Sequence, residues 1–293
     1  MKEYGGYLEL EQFYGCEYHS DPVFRFNYCR TAWQYLLKAR KIEKVYLPYY
    51  ICDSLIKATM QCGVQIEYYH IDKFFCPICD HIPLDGEVIL IINYFGFLTK
   101  QQLQTMVNKY KHIVIDNTHA FFSRPLDGVD TLYSCRKFFG VSDGGYLFAD
   151  NISAPILCKD SSAIRMNFLI GRLEDGAQKH YLEFRYAEDQ AEKEGIKNMS
   201  NTTQNLLRGI DYERIKRMRT QNYLSMHKQL SDYNRLSYMP VPEGPYVYPL
   251  YFDGNARKLR LFLIKNHIYV PVFGKYIWYI AEELFRIEIG RAH

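Results

Sequence analysis

Apolar and polar positions follow two alternating periods along the first half of the chain. Thr31-Ala32-Trp33-Gln34-Tyr35-Leu36-Leu37-Lys38-Ala39-Arg40 has its apolar residues at helical spacing, and Lys44-Val45-Tyr46-Leu47-Pro48 reads as a strand closed by a proline. Asp53 to Gln61 reads as a helix with Gly63 as its stop. Val64 to Tyr69 alternates with the period of a strand, Val88 to Asn93 reads as a buried one, Lys100 to Tyr110 is helical, and Ile113 to Asp116 is a strand again. This rhythm predicts an α/β fold with a central, mostly parallel sheet covered by helices. Ligands of such sheets gather beyond the carboxyl ends of the strands, so residues that directly follow strands are the first candidates for chemistry.

The pattern changes in the second half. From about Lys179 to Leu230 the chain is rich in Glu, Lys, Arg and Gln and has no strand runs, which predicts long helices. Val247 to Phe252 then reads as a strand, Ala256 to Asn266 as a helix and Ile268 to Pro271 as another strand. The expected organisation is a large α/β domain over residues 1–178, connecting helices over 179–235 and a small α+β domain over 236–293.

A chain of 293 residues, 48% hydrophobic and 24% charged, can bury a sizeable core. Its 36 basic and 33 acidic side chains leave a net charge of only +3, which gives no reason to expect a nucleic-acid or membrane-surface partner. Apolar runs such as Glu87 to Ile92 have strand length rather than membrane-spanning length, and Met1 to Gly6 lacks an apolar signal core, so a cytoplasmic protein is expected. The eight cysteines are scattered, and reduced thiols are expected in a chain of this size. Cys76-Pro77-Ile78-Cys79 with His81 has half the spacing of a zinc site, but no second pair follows, so no metal is expected and a loop between strands is the plainer reading.

Three segments could carry chemistry. In Phe24 to Ala32 an apolar stretch turns directly into a helix, whose free N–H groups could hold a phosphate. Ile113-Val114-Ile115-Asp116-Asn117-Thr118-His119 sets a carboxylate just beyond a strand and an imidazole three residues on. Asp116 could keep a proton on a heterocyclic nitrogen, or simply cap the next turn beside a packed histidine. In Ser134-Cys135-Arg136-Lys137-Phe138-Phe139-Gly140-Val141-Ser142-Asp143-Gly144-Gly145, a lysine lies between apolar runs ahead of a Gly-Gly turn. A desolvated Lys137 could supply a neutral amine for a Schiff base; alternatively it is a surface lysine beside a hairpin.

Taken in order, these segments resemble the DegT/DnrJ/EryC1/StrS family, the sugar aminotransferases of the fold-type I pyridoxal-phosphate group. The resemblance also draws on Tyr46-Leu47-Pro48-Tyr49-Tyr50 and on Tyr94-Phe95-Gly96, and it covers residues 5–150 best. It implies a fold-type I sheet sandwiched by helices, with pyridoxal 5'-phosphate as cofactor. Lys137 would then anchor the cofactor and shuttle the proton, Asp116 would pair with the pyridine nitrogen, and His119 would stand near the phenolic oxygen. Backbone N–H groups of Cys29, Arg30 and Thr31, with the Ser134 hydroxyl, would hold the phosphate.

The sequence departs from that pattern in places. Tyr28-Cys29-Arg30-Thr31 replaces the family's Ser-Gly-Thr, and Ser134 lies three residues before the lysine rather than five. Cys52 stands where an aromatic usually stacks on the ring, which leaves Tyr50 or His119 as substitutes. Only 22 residues follow Pro271, so a shortened small domain is expected. The implied partners are an amino donor and a nucleotide-linked keto sugar, in polysaccharide or related biosynthesis, with the protein as a homodimer. A cofactor-binding relative with another reaction, such as sugar dehydration, and a non-catalytic dimeric homologue are the alternatives.

Overall fold

The computed structural model describes residues 6–20, 23–154, 156–236, 238–252, 254–273 and 287–290. In chain order the first elements are strand β1 (Phe24–Phe26), helix α1 (Cys29–Ala39), β2 (Lys44–Pro48), α2 (Asp53–Gln61), β3 (Gln65–Ile71), β4 (Pro77–Ile78), β5 (Glu87–Ile92), α3 (Lys100–Tyr110), β6 (Ile113–Asp116), β7 (Asp130–Ser134) and β8 (Gly145–Phe148). They form one eight-stranded sheet of order β1-β8-β7-β6-β5-β2-β3-β4. Its centre, β3-β2-β5-β6-β7, is parallel; β4, β8 and β1 add antiparallel margins.

Local sequence explains the sharpest boundaries. Pro48 closes β2, and Gly63, with φ of +71°, supplies the left-handed turn after α2. Thr99 starts α3 by accepting from the Gln102 N–H at 3.2 Å, while the Gln102 side chain accepts from the Thr99 N–H at 2.8 Å. Helix α1 begins two residues before its apolar periodicity does. There the Thr31 hydroxyl accepts from the Tyr28 N–H at 3.1 Å, so the helix nucleates on polar residues that periodicity does not register.

Helices α4 (Asn167–Asp175), α5 (Tyr181–Lys193), α6 (Asn201–Arg208) and α7 (Tyr212–Leu230) follow, then β9 (Tyr248–Leu250), α8 (Ala256–Lys265), β10 (Val272–Phe273) and β11 (Ile287–Gly290). Strands β9, β10 and β11 make a separate antiparallel sheet. The strand expected over Ile268 to Pro271 is not there: those residues are irregular, and pairing starts at Val272. Pro271 has no N–H to give a ladder, which accounts for the shift. Leu207, Tyr212, Tyr223, Tyr246 and Tyr248 belong to the same buried cluster as Trp33, Ile89, Leu90 and Leu132 of the large sheet and its helices, so the helical region packs directly on the sheet.

The Gly-Gly turn is dictated by close approach. Gly144 has φ of +120°, and a Cβ there would lie 3.0 Å from Cys135 Cβ. A Cβ on Gly145 would lie 2.5 Å from the backbone nitrogen of Cys29 and 2.6 Å from the carbonyl carbon of Tyr28, atoms that cannot give way singly. Gly145→Ala should therefore destabilise the fold by about 1–3 kcal/mol in urea unfolding. Gly195→Ala, where a Cβ meets nothing within 4 Å, should be close to neutral; equal effects of the two would contradict this packing.

Candidate functional site

Parallel pairing gathers the candidate groups at one edge of the sheet. The carboxyl ends of β2, β5, β6 and β7 point the same way, and they lead directly into Tyr49-Tyr50, Asn93-Tyr94, Asp116 to His119, and the 3-10 turn Cys135–Lys137. The antiparallel partner β8 begins at this edge, because Gly145 is paired with Ser134. β1 ends here as well, because Phe26 is paired with Gly145, and so the start of α1 reaches the same place.

Asp116, the last residue of β6, is buried, with 2% of its surface exposed. Its carboxylate accepts from the Thr118 N–H at 2.8 Å. Burial raises its pKa above the ordinary carboxylate value, against the opposing pull of the Thr118 hydrogen bonds and of the positive charge of Lys137. Lys137, half-buried at the end of the 3-10 turn that follows β7, lies at the same edge of the sheet, next in strand order to β6.

Cys29 joins them at the first position of α1. Its Sγ lies 3.3 Å from the Thr118 hydroxyl, tying the helix start to the loop after β6. Burial, and then the Asp116 carboxylate, push the Cys29 thiol well up, while Thr118 and Lys137 pull it back. Ser134 is buried at the end of β7, one ladder step across from Gly145, which packs against the Tyr28–Cys29 backbone. Ser134 and the α1 terminus are thus brought together through a glycine.

The side chains of Arg30 and Thr31, at the start of α1, point elsewhere. The Thr31 hydroxyl is fully buried and donates to Asn27 Oδ1 at 2.6 Å, so its contribution to an anion is limited to its backbone N–H. The Arg30 guanidinium lies 4.3 Å over the Tyr28 ring and donates to the Ala191 carbonyl of α5.

Aromatic rings line the remaining side. The Tyr50 and Tyr94 rings stack at 5.1 Å, and the Tyr94 hydroxyl donates to the Tyr50 carbonyl. Burial pushes the Tyr94 phenol well up, helped by neighbouring Tyr69, Tyr50, Asp116 and Cys52. Cys52 is exposed at the start of α2, with Sγ 3.1 Å from the Ser54 hydroxyl. His119 is held between two rings, Phe95 at 5.6 Å and Tyr246 at 4.8 Å, both nearly parallel to it. Phe95 itself has φ of +58°, and Gly96 beside it has φ of +78°, so the bend after β5 is left-handed.

Sequence reasoning did not single out Thr118 or Tyr246. Thr118 carried a signal, since it follows Asp116 in a strand-end turn and can reach back to the carboxylate. Tyr246 carried none, because its meeting with His119 spans more than a hundred residues.

No family model matches the sequence, and no curated protein matches it. Solved structures are similar in fold. CalS13, a sugar aminotransferase from Micromonospora echinospora, is 12% identical with a TM-score of 0.56, over 86% of this chain and 73% of that one. PseC of Helicobacter pylori, an aminotransferase involved in the biosynthesis of pseudoaminic acid, is 12% identical with a TM-score of 0.53, over 92% and 81%. Spr1654 of Streptococcus pneumoniae in its PLP-form is 14% identical with a TM-score of 0.54, over 86% and 73%; a PMP-form of it is similar as well. The eight-stranded sheet and its flanking helices thus have the fold of these aminotransferases.

The state of Asp116 sets a pH dependence. Because its folded pKa is raised, the folded chain holds this proton more tightly than the unfolded chain, and stability is lost as pH rises through the raised value. Asp116→Asn should therefore be more stable than the wild type at pH 7, with the gap closing below about pH 4. Urea unfolding at both pH values checks this, and a gap that does not depend on pH would contradict it.

Proposed function

We propose that this chain is a pyridoxal-phosphate-dependent aminotransferase that places an amino group on a keto sugar carried by a nucleotide. The observation that carries the reading is that the buried Asp116 and the turn bearing Lys137 end neighbouring parallel strands at the carboxyl edge of the sheet, beside the start of α1. Its support in fold comes from neighbours whose names specify sugar aminotransfer and PLP- and PMP-forms.

The residues present fit the cofactor. An amine, a desolvated carboxylate and a helix N-terminus converge, which are the donors and acceptors that an aldehyde, a pyridine nitrogen and a phosphate require. The Tyr50 hydroxyl, buried in the same cluster, has no hydrogen-bond partner among the described residues and so offers a further polar group. When bound, pyridoxal phosphate supplies a reactive aldehyde and a protonated ring that draws electrons from the substrate carbon.

The chain's own residues then have distinct tasks. Lys137 Nζ would hold the cofactor's aldehyde and, as a free amine, would carry the proton to and from the substrate carbon. Asp116 holds the proton on the ring nitrogen through a charge-assisted hydrogen bond, which a buried carboxylate gives up less readily than a solvated one. First-turn N–H groups of Cys29, Arg30 and Thr31, with the Ser134 hydroxyl, take the phosphate. His119, fixed between Phe95 and Tyr246, keeps its imidazole at the pocket wall. Exposed Leu173, Leu182 and Tyr186 on α4 and α5 suit a two-fold homodimer in the cytoplasm.

Stopped-flow spectroscopy of the half-reaction with an amino donor such as glutamate tests the assignment. Lys137→Ala should slow amino transfer by about 10²–10⁴-fold while retaining the fold, and Asp116→Ala should bind cofactor yet react slowly. Unchanged turnover in Lys137→Ala would overturn the mechanism.

A further inference from the structure

Residues 238–247 cross the carboxyl edge of the large sheet as a strap. The Tyr238 hydroxyl donates to the Phe97 carbonyl at 3.5 Å, and Pro242 lies so close to Gly96 that a Cβ on that glycine would meet it at 3.1 Å. Tyr246 stacks on His119 and lies 5.5 Å from the Phe138 ring.

Helix α7 fastens this strap with three residues spaced three and four apart, hence on one face. Lys216 pairs with Glu243 at 2.8 Å, and the Tyr223 hydroxyl donates to the Pro240 carbonyl at 2.9 Å. Between them, Arg219 Nη1 donates to the carbonyls of Pro245 at 3.3 Å and Tyr246 at 3.1 Å. Its Nη2 donates to the Phe138 carbonyl at 2.9 Å, and the guanidinium lies 4.9 Å over the Phe138 ring.

Arg219 therefore holds two segments at once. One is the strap that carries Tyr246 against His119; the other is the turn in which Phe138 directly follows Lys137. A guanidinium can do this because its donors form a rigid planar fork, whereas an ammonium is a single point of attachment. We propose that Arg219 is a positioning residue of the candidate site, setting the Lys137 turn and the Tyr246–His119 stack in one frame. This rests on the cofactor reading above.

The full chain is titrated with pyridoxal phosphate, following the absorbance band that appears when a protein amine condenses with the aldehyde, and the pH midpoint of that band is recorded. Arg219→Gln should weaken cofactor binding by about ten- to hundredfold and move the midpoint, since a charged group's hydrogen bonds to the lysine turn are lost. Added guanidinium ion should partly restore both. Lys216→Gln, which loosens the strap alone, should leave the midpoint in place. If Arg219→Gln does not fold, Arg219→Lys replaces it, and a folded Arg219→Lys is expected to show a moved midpoint. A wild-type midpoint and affinity in the folded Arg219 variant would overturn the proposal, as would an equal loss in Lys216→Gln. A wild type without the band would overturn the cofactor reading and this role with it.

Discussion

Parallel pairing between β5, β6 and β7 is the constraint on which the rest of the site depends. Asp116 is in register with Ile92 on one side and Leu132 on the other. Side chains alternate along a strand, so a slip of one residue would turn Asp116 to the opposite face and bury an isoleucine where the carboxylate now stands. The same ladder fixes where Tyr94 and the Lys137 turn leave the sheet. Around it, the Asn93 side chain donates to Asn117 Oδ1 at 3.0 Å, and Asn117 donates to the Tyr133 hydroxyl at 3.2 Å, so the polar groups behind the strand ends satisfy one another.

Burying a carboxylate in this position costs stability, and the surroundings compensate only in part. Thr118 supplies hydrogen bonds, yet burial still wins, and the Asp116 pKa stays raised. The fold tolerates this because the neighbouring core is dense and aromatic: Phe121, Phe122, Tyr133 and Tyr146 are all buried within it. A site held at the expense of stability is the arrangement expected where electrostatics serve chemistry.

Much of the fold was legible because its signals are local. Lys44–Pro48, Asp53–Gln61, Lys100–Tyr110 and Ile113–Asp116 all stand where periodicity, a proline or a glycine predicts them. Asp116 was legible as a candidate because it stands at a strand end, and Lys137 because it lies between apolar runs ahead of a Gly-Gly turn. What was not legible depends on distance in sequence or on side-chain direction. Thr31 turns its hydroxyl into the helix start, Arg30 turns toward α5, and Gly145 supports Cys29 from another strand. The Arg219 bond to Phe138 joins residues 81 apart, and no periodicity announces such a contact.

The central claim is that the amine of Lys137 is the one presented to the cofactor. Reducing the chain with borohydride in the presence of pyridoxal phosphate fixes any such linkage as a stable secondary amine, and peptide mass mapping locates it. At one equivalent of cofactor, the label should fall on Lys137 and be absent from that peptide in Lys137→Ala. Label spread over exposed lysines, with the peptide of Lys137 unmodified, would contradict the account.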